Sequence, residues 1–374
     1  MEQPPVTLKR VPVLDLGPEI MELKPQLLRS IEDVLDKGAF IMGENVKEFE
    51  REAAEYLDVK HAIALNSGTD ALVLALLTAG VGPGDEVVTT PFTFFATAEA
   101  ISHVGAVPVF SDVDPLTFNL DVNRIEEVIT PRTKAIIPVH LFGQVVDMDP
   151  ILELADRYGL YVVEDTAQAF GAEYKGKKAG TIGDFGCYSF FPSKNLGAFG
   201  DGGMITTNNT VFAERVSMLR AHGSKKKYMN ELVGYNSRLD EIQAAILRVK
   251  FPYIEEWNEA RRRAADIYRE LLGQTPGILL PAEEYYGRHV YHQFTIRVLG
   301  GRRDEVQAKL AEKGISSVIY YPIPVHQLPV YHHLRISQPI AELLAGEVLS
   351  LPIGPKIEAS VQQIVAESVI EALR

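Results

Sequence analysis

HAIALNSGTDALVLALLTAGVGPGDEVVTTPFTFFATAEAISHVGAVPVF, residues 61–110, alternates two hydrophobic rhythms. Residues 61–65, 86–90 and 107–110 are short, β-rich runs. Between them, residues 69–79, closed by Gly80, and residues 94–103 carry apolar side chains at helical spacing. The punctuation agrees, because Gly82-Pro83-Gly84-Asp85 is a loop signal. The alternation continues past the Thr130-Pro131-Arg132 loop, with a nearly all-apolar strand over 135–139, a helix over 149–158 and a strand over 161–164. This βαβα rhythm, from about Lys60 to Asn208, predicts an α/β fold with a mostly parallel sheet flanked by helices.

Further out the pattern changes. Helices are predicted over 211–220 and 239–250, and a long amphipathic one over about 253–272, with Pro252 at its start. The long helix would join a large domain (residues 1–250, with N-terminal helices over 22–37 and 46–57) to a smaller C-terminal α+β domain (residues 251–374). In the latter, 291–298 and 315–319 read as strands and 303–313 as a helix. There is no internal repeat and no low-complexity segment.

Composition excludes several classes. A chain of 374 residues, 46% hydrophobic and 23% charged, describes an ordinary globular protein. Cys187 is the only cysteine, so no disulfide forms within the chain, which fits a reducing cytoplasm. No apolar run approaches the ~18–20 residues that span a bilayer. Met1-Glu2-Gln3-Pro4-Pro5 lacks the basic and apolar regions of a signal peptide. A net charge of −13 argues against nonspecific binding to nucleic acid or an anionic membrane. It leaves open a small anion held by local backbone N–H groups.

Three segments carry chemistry. Asn66-Ser67-Gly68-Thr69-Asp70-Ala71 lies between a predicted strand and helix, where small residues let a phosphate approach free N–H groups. Ser67 or Thr69 acting only as a helix cap is the alternative. Glu164-Asp165-Thr166-Ala167-Gln168 follows an apolar strand, and the ends of parallel strands are where ligands bind in such sheets. Asp165 there suits the pyridine nitrogen of pyridoxal 5′-phosphate (PLP), whose protonated ring is an electron sink, and Gln168 suits its phenolate oxygen. A turn residue at a strand end is the bland reading. In Cys187-Tyr188-Ser189-Phe190-Phe191-Pro192-Ser193-Lys194-Asn195-Leu196-Gly197, Lys194 stands in an apolar, aromatic setting before Gly202-Gly203. Desolvation there would keep its amine partly neutral and nucleophilic, as a Schiff-base lysine requires. Ser189 is placed to offer a hydroxyl to the cofactor phosphate.

With Gly234-Tyr235-Asn236-Ser237-Arg238 added, these motifs resemble the DegT/DnrJ/StrS sugar aminotransferases, of the aspartate-aminotransferase-like PLP fold, over nearly the whole chain. The resemblance implies that Lys194 is catalytic and that Gly68, Thr69 and Ser189 hold the phosphate. It places Asp165 and Gln168 on the ring and Phe94 stacked on it, with a core aromatic as the alternative for Phe94. It also implies a homodimer in which Asn236 reaches the neighbouring subunit's phosphate. Glutamate would donate an amino group to the cofactor, and a nucleotide-linked keto sugar would accept it, with ping-pong kinetics and Lys194 shuttling the proton. No metal is expected.

Within that family the chain looks most similar to 3-aminotransferases of UDP-linked N-acetyl-3-keto sugars and their uronic acids. Arg238, from the partner subunit, would lie near the sugar or its carboxylate, or else be an ion-pair residue at a helix start. Tyr320, Tyr321 and His326 are further candidates for the substrate pocket, with a structural histidine beside prolines as the alternative for His326. The uronate enzymes carry His where this chain has Tyr320, which leaves a neutral 3-keto-N-acetyl sugar or a dTDP-linked 3-keto-6-deoxyhexose open. Among rivals, a dehydratase of the same fold would replace Lys194 by His, and a silent regulatory relative would not need the full cofactor set. A Gly-x-Ser-x-Gly elbow and an HExxH metal pair are both missing from the sequence.

Overall fold

A computed structural model describes residues 10–226 and 228–374, so the N-terminal residues inspected for a targeting signal lie outside it. Two helices lead, α1 (Gly17–Lys37) and α2 (Glu44–Leu57). Then come β1 (His61–Leu65), α3 (Gly68–Thr78), β2 (Glu86–Thr89), α4 (Ala96–His103) and β3 (Val107–Phe110). β4 (Thr133–Ile137), α5 (Met148–Tyr158) and β5 (Tyr161–Asp165) continue the alternation. Two short strands, β6 (Glu173–Tyr174) and β7 (Lys177–Lys178), precede β8 (Phe185–Ser189) and β9 (Gly203–Thr207). After α6 (Thr210–Leu219), β10 (Ser224–Lys226) and β11 (Met229–Asn230) pair as a hairpin. Then α7 (Glu241–Lys250) and α8 (Ile254–Leu272) lead to β12 (Ile278–Leu279), β13 (Gly287–Arg288), β14 (Phe294–Val298) and α9 (Arg303–Glu312). The chain ends with α10 (Pro339–Glu347), β15 (Val348–Leu351) and α11 (Ala359–Leu373).

Seven strands form one sheet in the order β1-β9-β8-β5-β4-β2-β3. From β8 to β3 every pairing is parallel, and β9 runs antiparallel to both of its neighbours. The apolar character of β2, β4 and β5 follows from burial on both faces. Val87, Ala135, Ile137 and Val163 point into one core with α3, while Val88, Ile136 and Val162 point into another with α5. α8 belongs to more than one core. Ile254 packs with α2 and the sheet, whereas Ala264, Ala265, Tyr268 and Leu272 pack with β14, β15, α9 and α11.

One expected element is corrected. Residues 315–319 form no strand: Ile315 makes a single bridge to Val11, and Val318 one to Ser350. Their partners lie in two different places, so no ladder develops, and β15 takes the position beside β14 in the small antiparallel sheet.

Candidate active site

The first turn of α3 meets the end of β8. Ser67 is the helix cap, its Oγ accepting from the Asp70 N–H at 3.1 Å. The N–H groups of Gly68 and Thr69 precede any intrahelical acceptor and remain available. Gly68 must be glycine for this approach, because a Cβ there would stand 2.8 Å from the Ser189 Cβ. Ser189 Oγ accepts from the Phe191 N–H at 3.3 Å, which leaves its own proton free to donate. A helix N-terminus, two backbone donors and a hydroxyl thus converge as an anion cradle.

Glu164 and Asp165 end β5 side by side, and strand alternation sends them to opposite environments. Glu164 is fully used inside the fold: it accepts the N–H groups of Gly180, Ile182 and Gly183 at 2.7–2.8 Å and meets His140 Nε2 at 2.9 Å. His140 Nδ1 accepts from the Val146 N–H, so its proton sits on Nε2 and is donated to Glu164. Asp165 faces the cavity instead. Its Oδ2 accepts from Thr97 Oγ1 at 2.8 Å and its Oδ1 from the Ala167 N–H at 3.2 Å. Burial raises the Asp165 pKa, and Thr97, the Ala167 N–H, Lys194 and His140 oppose the rise.

Lys194 lies on the loop between β8 and β9 and opens into the same cavity of about 630 Å³ as Asp165, Gly68, Thr69 and Ser189. Burial pulls its pKa to about 8, with Asp165 opposing. Gln168, Phe94, Tyr320 and Tyr321 also border this space. Gln168 Oε1 is occupied by the Phe142 N–H at 2.8 Å, so its amide group is the face it presents, donating to Tyr321 OH at 3.1 Å. Phe94 is 59% exposed, its ring 6.4 Å from that of Tyr321.

Three candidates lie elsewhere in the chain. His326 is buried, its Nε2 3.1 Å from Glu342 Oε1, and it borders a separate open depression. Arg238 donates to Asn236 Oδ1 at 2.6 Å on the segment before α7, and neither lines the cavity of its own chain. Sequence reasoning passed over Thr97, His140 and His292, of which Thr97 and His292 also line the cavity. Thr93 and Thr97, one helical turn apart beside Phe94, were the legible signal for a hydroxyl pair there.

Comparison with known proteins agrees with this geometry. The DegT/DnrJ/EryC1/StrS aminotransferase family profile matches residues 22–370. The chain is 50% identical over 369 residues to a protein of Geobacillus stearothermophilus named a pleiotropic regulatory protein, covering 97% of this chain and 99% of that one. It is 48% identical to a UDP-N-acetyl-3-dehydro-α-D-glucosamine 3-aminotransferase of Acidithiobacillus ferrooxidans, covering 93% and 94%. Identity is 46% to a dTDP-3-amino-3,4,6-trideoxy-α-D-glucose transaminase of Streptomyces venezuelae, covering 93% and 92%. Among solved structures, S. venezuelae DesV in complex with a ketimine intermediate superposes with a TM-score of 0.95 at 45% identity, over 98% of this chain and 99% of that one. The chain belongs to the DegT/DnrJ/EryC1/StrS aminotransferase family, a family of PLP-dependent sugar aminotransferases.

Proposed function

We propose that the chain transfers an amino group from glutamate to the C-3 keto group of a UDP-linked N-acetyl hexose, with PLP bound at Lys194. The supporting observation is that a lysine with its pKa pulled to about 8, a buried carboxylate and an anion cradle all open into one cavity. The residues fit PLP. Gly68, Thr69 and Ser189 would hold its phosphate, Asp165 its ring nitrogen and the amide of Gln168 its phenolate oxygen, with Phe94 against the ring. When bound, the cofactor supplies the electron sink and carries the amino group between donor and acceptor.

The protein residues supply the proton transfers and the positioning. With a pKa of about 8, roughly a quarter of Lys194 amines are neutral at pH 7.5, against about one in a thousand at the ordinary value. Lys194 Nζ can therefore take the proton from the donor's α-carbon and return one to the sugar carbon. Thr97 and the Ala167 N–H hold the two oxygens of Asp165 and favour its charged form against the effect of burial.

The lining that one chain supplies suits a neutral sugar. Lys194 is the only lysine or arginine among the described residues that line the cavity, and the neutral phenols Tyr320 and Tyr321 stand at its edge. Arg238 reaches the site only from a second subunit, as does Asn236. The reading therefore includes a homodimer with shared sites.

The test is the absorbance of the purified protein with PLP, followed through addition of glutamate and then of keto sugars. A visible band that glutamate bleaches and a UDP-linked 3-keto-N-acetyl sugar restores is expected. Restoration only by a dTDP-linked 3-keto-6-deoxyhexose would move the substrate to that class. No band even with added PLP would overturn the reading.

A further inference from the structure

His292 stands in the wall of the Lys194 cavity, and its tautomer is fixed by a buried chain of amides. Asn258, on α8, donates from Nδ2 to the Phe170 carbonyl at 3.0 Å, so its Oδ1 is an acceptor. Asn195, next to Lys194 in sequence, donates from Nδ2 to that Oδ1 at 2.8 Å and to the Val290 carbonyl at 3.0 Å. Both amides are thereby oriented, and Asn195 Oδ1 can only accept. It meets His292 Nδ1 at 3.2 Å, so Nδ1 carries the imidazole proton and Nε2 carries the lone pair.

That lone pair has no partner among the described residues, yet Nε2 is not among the sealed, unpaired atoms. His292 and Lys194 line the same cavity, and Lys194 is one of the charges that act on the His292 ring. Lys194 Nζ also makes no hydrogen bond among the described residues. When the lysine takes up a proton, the ammonium stands at the cavity wall, where an acceptor would stabilise it.

We propose that His292 Nε2 accepts a hydrogen bond from the Lys194 ammonium and so acts as a positioning residue for proton transfer. The inference rests on Lys194 being the reacting amine. No proton passes to the imidazole: the N–H stays on lysine, which hands it to the sugar carbon. Burial holds His292 well below its ordinary pKa, with Lys194 and Arg261 adding to the effect, so the ring stays a neutral acceptor. The charged and titratable groups facing the pair are Asp165, Asp201, Tyr320 and Tyr321 across the cavity and Arg261 from α8.

Two substitutions separate this role from a structural one. His292→Asn keeps a donor for Asn195 but removes the acceptor at Nε2, whereas His292→Gln places an acceptor near Nε2. The Lys194 pKa is read in the cofactor-free full-length chain by trace acetylation across a pH series, with Lys194 quantified by mass spectrometry. An acceptor stabilises the charged amine, so His292→Asn is expected to lower the Lys194 pKa by at least about half a unit and His292→Gln to hold it near the parental value. The pH profile of the glutamate half-reaction of the holoenzyme should move the same way. Equal shifts in both variants, or none in His292→Asn, would overturn the proposal. Failure of the broader reading shows separately, as a parental protein whose band glutamate does not bleach.

Discussion

Two donors hold the oxygens of Asp165 and oppose the rise in pKa that burial causes, and for a carboxylate the direction of each hydrogen bond follows from the chemistry. A carboxylate only accepts, so Thr97 donates to Asp165 Oδ2, and Thr93, 3.0 Å from Thr97 Oγ1, donates in turn to Thr97. Burial raises the Asp165 pKa and Thr97 is the first of the influences lowering it. Removing the hydroxyl should raise that pKa further. Thr97→Val is thus expected to move the acid limb of the pH–rate profile upward by about one unit, whereas Thr97→Ser leaves it in place. A profile of Thr97→Val that overlays the parental one would show that Thr97 does not tune Asp165. Residues of this kind explain what sequence reasoning reached and what it missed. Lys194, Asp165 and Ser189 advertise themselves through unusual surroundings: a lysine among aromatics, an acid at the end of an apolar strand. Thr97, His140 and His292 act through partners 68, 24 and 97 positions away, which no local pattern displays.

Among the elements, the start of α3 is where sequence and site chemistry meet most tightly. The expected strand over 61–65 matches β1, and the helix begins one residue before its expected start, at Gly68 itself. That residue is both the first of the helix and the point where the helix touches β8, with the Ser189 Cβ 2.8 Å from where a Cβ would be added. Gly68→Ala should push α3 away from Ser189 and open the cradle. Strain of this kind costs about 1–3 kcal/mol, so cofactor affinity is expected to fall by roughly five- to 150-fold. Titrating PLP into the cofactor-free protein by fluorescence measures it, and unchanged affinity would mean that the cradle does not hold the phosphate. The parallel strands were legible because burial on both faces leaves an unbroken apolar run, as in Ala135-Ile136-Ile137. Direction and pairing were not. β9 is reversed between β8 and β1, and the run at 315–319 finds only isolated bridges, because both outcomes depend on which distant backbone lies alongside.

At the scale of the whole molecule, one chain builds most of a site and leaves its mouth uncovered. Phe94 and Phe191 line the cavity yet are 59% and 52% exposed. Asn236 and Arg238 stay on the segment before α7, outside the cavity of their own chain. A second copy related by a twofold axis would supply these residues in trans, each chain completing the other's cavity, as an isologous dimer requires. Composition and periodicity carry no trace of such a partner; only the resemblance in Gly234-Tyr235-Asn236-Ser237-Arg238 raised it. The arrangement predicts complementation. Lys194→Ala removes the reacting amine from a chain's own site, whereas Asn236→Asp sets a negative charge against the phosphate in its neighbour's. Each variant alone should be nearly inactive. In a heterodimer, however, one site collects both defects and the other is intact. Random mixing after dissociation gives half heterodimers, so about a quarter of all sites, and a comparable share of parental activity, should return. If the mixture is no more active than the variants apart, despite exchange verified by mass spectrometry, each chain works with its own residues alone and Asn236 has no role in the neighbouring site.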